Sequence, residues 1–458
     1  MSRRPSDTDW RRLERAVTGR VRRPGEAGFR AASTPFNKRF AGITPAGVVS
    51  VADAEDVRRA IEWARGTGVD VVARGGGHSF AGHSVSTGLV LDLGALNTVT
   101  ADGSTGLVTA GGGALMADVH AAIEPCEMAF ALGNSATVGI GGLTLGGGCG
   151  ATSRVYGLTA DALVATTIVT ADGQLLKCDA DTNADLFWAC RGGGGGNFGV
   201  NVSFTFQAKP VAPCATYVLL WDSADAAKVF SVLQDTVRRA PDEFAARIGV
   251  SKAGGDTVVS AIGQHFGSAA ELREILDPVL SVAAPVRTVI ADRTFWEAKD
   301  DLRHETAEGA FASRTNIVTR PLPDEAIATM LAFVERRPDS GNPDGGGAAL
   351  FSWGGAINRV GATDTAFVHR DTMFLLAMDT SWAEDDEPAV VEANRRWLAD
   401  LGDAMAPYVS GGAFQNFTDP DLADWRTAYY GVNYPRLKQI KERVDPDGFF
   451  TFAQSIGS

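Results

Sequence analysis

From residue 46 onward the apolar positions alternate between two spacings. Val57, Ile61 and Ala64 recur at helical intervals behind Asp53, a capping residue, and Gly66 and Gly68 close the run, which predicts a helix over 53–63. The short apolar stretch Val69 to Ala73 predicts a buried strand that runs straight into Arg-Gly-Gly-Gly-His-Ser-Phe-Ala-Gly-His-Ser at 74–84. Gly88 to Leu93 predicts a second strand and Ala114 to Ile123 a helix. From Leu132 to Gly150, Gly and small residues dominate, too irregularly for a helix or an ordinary strand. Leu163 to Thr170 reads as a strand, Ala171-Asp172-Gly173 as a turn, and the segment up to Cys178 as the returning strand. A second glycine run, Gly192 to Gly196, precedes an alternating strand, Val200 to Phe206.

The pattern changes after Lys209-Pro210. Longer amphipathic helices, Ala226 to Arg239, Ala269 to Leu280 and Pro388 to Met405, interleave with strands such as Thr257 to Ile262 and Thr372 to Met378. That is an α+β arrangement with an antiparallel sheet. Ser340 to Gly347 has the composition of a surface loop. After about Ser410 the mixed pattern returns and closes with a helix, Pro435 to Val444, stopped by Asp445-Pro446. No internal repeat is present.

A chain of 458 residues is too long for one core and suits two or three lobes. Glycine is the outlier, 53 residues against the roughly 7% of an average protein. The glycines are clustered, which points to tight turns and backbone cradles. The net charge of −13, with no basic stripe, argues against a nucleic-acid partner. No run of about 18 apolar residues is present, and the basic start MSRRPSDTDWRRLERAV never reaches an apolar core, so neither a membrane span nor a signal peptide is expected. Cys126, Cys149, Cys178, Cys190 and Cys214 are odd in number and lack CxxC spacing; reduced thiols and a cytoplasmic setting are expected.

Three successive glycines after a strand, Gly75 to Gly77, let consecutive N–H groups turn toward one point and form an anion cradle with His78 at its lip. No Gly-Lys-Ser/Thr follows, so the loop is not a P-loop. The formal GxGxxG at Gly194, Gly196 and Gly199 leads into a strand and not a helix, so the dinucleotide-binding reading fails there. The six histidines make no HxxxH or HExxH pair, so no metal site is expected. GxSxG is absent as well.

Arg74 to Ser84 resembles the pyrophosphate loop of the berberine-bridge-enzyme-like FAD-linked oxidases of the vanillyl-alcohol-oxidase / para-cresol-methylhydroxylase superfamily. Further stretches agree in order: Thr137 to Gly142; Gly146 to Gly150 with Arg154 to Asp161; Leu186 to Val200; and the closing segment from Tyr429 through Asn433, Arg436, Asp445-Pro446, Phe449 and Gln454 to Ile456. The resemblance implies an α+β two-domain fold. A split FAD-binding domain, 1–210 and 411–458, would flank an inserted antiparallel-sheet substrate domain, 211–410. It also implies FAD covalently attached through His78. Cofactor contacts would come from Arg74, Gly75, Gly76, Gly77, Ser79 and Ser84 in the first loop. The second loop would supply Gly133, Ser135, Thr137, Val138, Gly139, Gly141, Gly142, Gly147 and Gly150, with Val169, Asn416, Tyr430 and Asn433 completing the set.

Two departures shape the expected chemistry. Many relatives carry a second tether, a cysteine two residues before Thr-Val-Gly; Ser135 stands there, and Cys149 reads as packing, so a single attachment is expected. Relatives that oxidise alcohols or phenols often use a tyrosine base in Tyr-x-Asn-Tyr; the matching stretch is Phe414-Gln-Asn-Phe417. Phe351 and Trp353, on the strand expected to face the flavin, complete an aromatic pocket in which that strand offers no carboxylate. Tyr430, Tyr156 and His369 remain as candidate proton acceptors. A pocket poor in bases favours an electron-rich amine or an ionised phenol or enol over a plain sugar alcohol. The resemblance implies hydride transfer from a small or medium organic molecule to flavin N5, with dioxygen as the acceptor because Val138 leaves it room. A dehydrogenase or oxidative cyclase using another acceptor is the alternative, and a catalytically silent flavin-binding module is disfavoured because every cofactor loop is kept. Substrate and oligomeric state stay open.

Overall fold

The structure, a computed structural model, describes residues 5–303 and 309–458. Its first lobe contains a two-stranded ribbon, Met128–Ala129 with Lys209–Pro210, and two main sheets. In the smaller one, Gly47–Ser50 and Val71–Arg74 both pair in parallel with Leu89–Asp92, and Arg20–Arg22 adds an antiparallel edge. The connecting helix, Ala54–Thr67, begins at Asp53, whose side chain accepts the Asp56 N–H, and ends at Gly68 in the left-handed region, as the helical spacing predicts. Its face of Val57, Ile61 and Ala64 is fully buried against Val49, Leu89 and Leu91.

The second sheet is antiparallel, in the order Val99–Asp102, Leu107–Gly111, Val200–Gln207, Leu163–Val169, Leu175–Asp179. Phe204, Phe206 and Ile168 pack in a core that also holds Tyr429, Tyr430, Leu437 and Ile440 from the C-terminal helices Trp425–Tyr430 and Tyr434–Val444. The chain therefore returns to its first lobe after a long excursion.

That excursion, from Cys214 to Trp382, builds a seven-stranded antiparallel sheet. The strand order is Arg287–Arg293, Cys214–Asp222, Asp256–His265, Phe244–Ala253, Gly346–Ser352, Phe374–Trp382, Ala310–Val318. Side chains alternate between its faces. Tyr217, Leu219, Ile248, Val250, Leu350, Leu376 and Met378 point to one side, where Ala226–Arg239, Ala269–Val282, Asp324–Glu335 and Pro388–Met405 cover them. The opposite face is free to roof a site.

Two sequence expectations need correction. Ile140–Leu145 forms a short helix inside the glycine-rich 132–150 segment. Burial of Ile140, Thr144 and Leu145 on one side of it outweighs the poor helix propensity of Gly141 and Gly142. Gly346 and Gly347, expected in a surface loop, start a central strand, because a Cβ at Gly347 would lie 2.0 Å from the Val250 carbonyl oxygen. No helix among the described residues is long and apolar enough to cross a membrane.

The C-terminal tail is fastened by one buried charge. Lys441 Nζ donates to the Asn197 carbonyl at 2.6 Å, the Phe450 carbonyl at 2.7 Å and the Asp445 carboxylate at 2.6 Å. Asp445 in turn accepts the N–H groups of Phe449 and Phe450. Lys441→Met leaves Asp445 buried without its cation, a loss of about 3–5 kcal/mol. The urea midpoint should fall with little change in slope; an unchanged midpoint would show that packing alone holds the tail.

Candidate active site

Between the glycine loops of the first lobe and the open face of the seven-stranded sheet lies a cavity of about 900 Å³. Its floor is backbone. Gly75, Gly76, Gly77, His78, Ser79 and Ser84 line it from the first loop, and Gly133, Ser135, Val138, Gly139, Gly141, Gly142 and Gly150 from the second. The two loops touch where no side chain fits: a Cβ at Gly76 would lie 2.4 Å from the Gly139 nitrogen, and one at Gly139 the same distance from the Gly76 nitrogen. At Gly77, φ is +74°, which glycine adopts without strain.

His78 sits where the loops meet. Its Nε2 is 2.9 Å from Thr137 Oγ1, and its ring stacks on Phe36 at a centroid distance of 3.8 Å. Ser135 Oγ lies 3.4 Å from the same Thr137 hydroxyl. Aromatic rings extend from this point: Phe36 meets Phe311 edge-on, Phe311 meets Phe80, and Phe80 stacks on Phe417 at 4.9 Å. Phe351, Trp353 and Phe414 line the cavity alongside Phe417. Asn416 bridges loops by donating to the Gly142 carbonyl and accepting the Gly148 N–H, each at 3.0 Å.

Several residues singled out in the sequence lie off the cavity. The Arg74 guanidinium turns away and holds the carbonyls of Ala32 and Thr34. Thr137 reaches the site only through its bond to His78. Gly147 packs under Phe367, Val169 pairs with Val200 in the core, and Asn433 donates to the carbonyls of Ala362, Thr365 and Ala366.

The candidate proton acceptors fare differently from one another. Tyr156 packs edge-on against Phe266, away from the cavity, and burial raises its pKa. His369 is packed against Phe367 and Gly412, and burial lowers its pKa to about 4. Tyr430 does line the cavity, but burial raises its pKa, and its hydroxyl donates to Gln415 Oε1 at 3.1 Å. It is a positioned donor rather than a base.

The expectation of a pocket poor in bases is corrected one strand over. Asp379 opens onto the cavity from the Phe374–Trp382 strand, and burial raises its pKa, partly opposed by Ser313 and Arg247. The apolar run read from the sequence stopped at Met378; the strand continues four residues further, so Asp379 alternates inward. Arg247, which also lines the cavity, was missed because its strand was not read from the sequence. The glycine run was missed as well. Gly194, Gly196 and Gly199 precede a strand, as expected, yet they line the cavity with positive φ. Cys149 also faces it, and burial pushes its thiol up to about 12, so it is a poor nucleophile.

A side-chain-free cradle, adjoining an aromatic chamber of this volume, fits a long phosphate-bearing cofactor with a planar ring. Comparison with known proteins gives the class. Residues 45–179 match the FAD binding domain model, and residues 413–457 the model described as berberine and berberine like. The chain is 32% identical over 455 residues to an uncharacterized FAD-linked oxidoreductase, YvdP, of Bacillus subtilis (strain 168), covering 96% of this chain and 98% of that one. It is 28% identical over 457 residues to glucooligosaccharide oxidase of Sarocladium strictum, covering 92% of this chain and 89% of that one. Among solved structures, Physcomitrella patens BBE-like 1 superposes with a TM-score of 0.89 at 26% identity, covering 98% of both chains. The chain belongs to the berberine bridge enzyme-like FAD-linked oxidoreductases. It is an FAD-dependent oxidoreductase with the α+β fold of that family.

The touching loops generate a direct expectation. Gly76→Ala forces the two cradles apart and should cut the flavin-to-protein ratio of purified enzyme at least tenfold. Gly42→Ala, where a Cβ meets nothing within 4 Å, should keep it. Equal flavin content in both variants would mean that the loops part without loss.

Proposed function

We propose that the chain is an oxidase that carries FAD on a single covalent attachment through His78 and takes hydride from a small or medium organic donor, with dioxygen as the electron acceptor. The observation that carries this reading is His78 itself: it stands at the end of a backbone cradle, its ring fixed by Thr137 and Phe36, beside the aromatic chamber. Gly75 to Gly77, Gly139, Gly141 and Gly194 to Gly196 would hold the phosphate-bearing part. FAD held there would supply a two-electron acceptor for the donor's hydride, with dioxygen taking that electron pair and two protons as hydrogen peroxide.

The protein's share is orientation and proton handling. Phe351, Phe414 and Phe417 give flat apolar contact to a planar donor, and Tyr430 fixes Gln415 beside them. Asp379 supplies the proton-accepting group that the Phe414–Phe417 stretch, which has no tyrosine, does not offer. The preference for an electron-rich amine or an acidic phenol or enol over a sugar alcohol now rests on these flat aromatic walls, since Asp379 would serve as base for any of them. The name of the Sarocladium relative makes the oligosaccharide class the natural rival. Ser135, standing in place of a thiol, and the raised pKa of the Cys149 thiol support one attachment rather than two.

Anaerobic screening of amines, phenols, enols and simple sugars for loss of flavin colour tests the donor class; fast bleaching by sugars alone would overturn it. Admitting air afterwards should restore the colour rapidly with one peroxide per donor. Val138, half-buried on the cavity wall, should matter mainly here: Val138→Leu should slow reoxidation at least tenfold while changing anaerobic bleaching little. Equal slowing of both phases would make Val138 a packing residue, and slow reoxidation of the unmodified enzyme would point to another acceptor.

A further inference from the structure

The sheet face over the cavity carries two charged side chains, and Asp301, Arg303 and Asp344 reach the lining from flanking segments. Arg247 lies on the Phe244–Ala253 strand and Asp379 on the Phe374–Trp382 strand, and both line the cavity. Strand register fixes their relation. Arg247 pairs with Phe351, which pairs with Leu375; Gly249 pairs with Ala349, which pairs with Ala377; Ser251 pairs with Gly347, which pairs with Asp379. Their backbone positions are therefore roughly 13 Å apart in strand rise, with Gly249, Ala349 and Ala377 in the row between. Between them the sheet carries no bulk.

Arg247 is built to lie over that hollow. Its Nη1 is 3.1 Å from the position a Gly249 Cβ would take, so the guanidinium leans along the strand over a missing side chain. Its one ring contact is Phe351, with the guanidinium carbon 5.6 Å from the centroid. Among the described residues it has no hydrogen bond or ion pair, and Asp379 acts on it only at longer range. A guanidinium carries five donors in a fixed fork, and leaving them unmet away from bulk water is costly. Burial lowers its pKa, yet an arginine stays charged. An anionic oxygen in the aromatic-walled space beside it would meet those donors.

We propose that Arg247 is the specificity-determining residue of the cavity: it binds an ionised oxygen, carboxylate, phenolate or enolate, of a planar donor that lies on the Gly249, Ala349, Ala377 and Gly347 hollow, while Asp379 receives the hydroxyl or amine at the donor's other end. This rests on the oxidase reading above and narrows its substrate class to anionic aromatic or enolic molecules. It also explains how a phenol or enol would be held ionised, since a nearby guanidinium favours the charged form.

The test uses flavin-loaded enzyme and measures binding, not turnover. Benzoate and phenylacetate are titrated against benzamide and phenylacetamide by calorimetry and flavin difference absorbance. At least one carboxylate should bind at least tenfold more tightly than its amide. Arg247→Gln should bring that ratio to within about twofold while leaving amide binding and flavin content in place; Arg247→Lys should keep part of the preference. Asp379→Asn should strengthen carboxylate binding by removing a like charge, without changing the amides. If neither carboxylate outbinds its amide, or if Arg247→Gln leaves the ratio intact, the proposal is wrong. Peroxide yield and flavin attachment are read on the same samples, so failure of the oxidase reading leaves the charge preference measurable, and loss of the preference leaves that reading standing.

Discussion

The backbone of residue 76 and the backbone of residue 139 approach so closely that a single methyl group on either would strike the other's nitrogen. This contact joins two loops that are 63 positions apart in the chain and sets everything around them. It brings the Thr137 hydroxyl to His78 and places Gly75 to Gly77 and Gly139 together on the cavity floor. Glycine here is a steric requirement of close approach, not a source of flexibility. The short Ile140–Leu145 helix follows directly from the contact and buries its apolar residues beneath it.

The sheet above solves the complementary problem. Strand alternation gives it one face for helices and one for the cavity, and small residues on the cavity face keep the hollow open between Arg247 and Asp379. The same device serves both sides of the site: glycine loops below, and glycine and alanine above. The C-terminal tail completes the enclosure. Lys441 ties it to the 194–199 glycine segment through the Asn197 carbonyl, so the elements that carry Gln415, Asn416 and Tyr430 belong mechanically to the first lobe although they follow the inserted sheet in sequence.

The strongly periodic elements could be read without coordinates. The Asp53-capped helix, Ala226–Arg239 and Pro388–Met405 lie within a few residues of their expected limits because capping and apolar spacing are local signals. The inward glycines of the first two loops could be placed because their motifs occur in order along the chain. What stayed hidden depends on pairing. Asp379 lay one residue beyond an apolar run, and only the register with Gly347 shows that it faces inward. Val169 and Asn433, expected among the cofactor contacts, serve packing and loop closure, and Arg74 spends its guanidinium on two carbonyls. A one-dimensional motif identifies a neighbourhood, while the side of the backbone is decided by the sheet.

The central claim is that His78 alone carries the flavin. Proteolysis of the denatured enzyme followed by mass spectrometry of the flavin-absorbing peptides addresses it directly. The account predicts one adduct, on the peptide containing His78, and none on the peptides of Cys126 or Cys149. Acid-denatured protein that releases all of its flavin, or an adduct on a cysteine peptide, would contradict it.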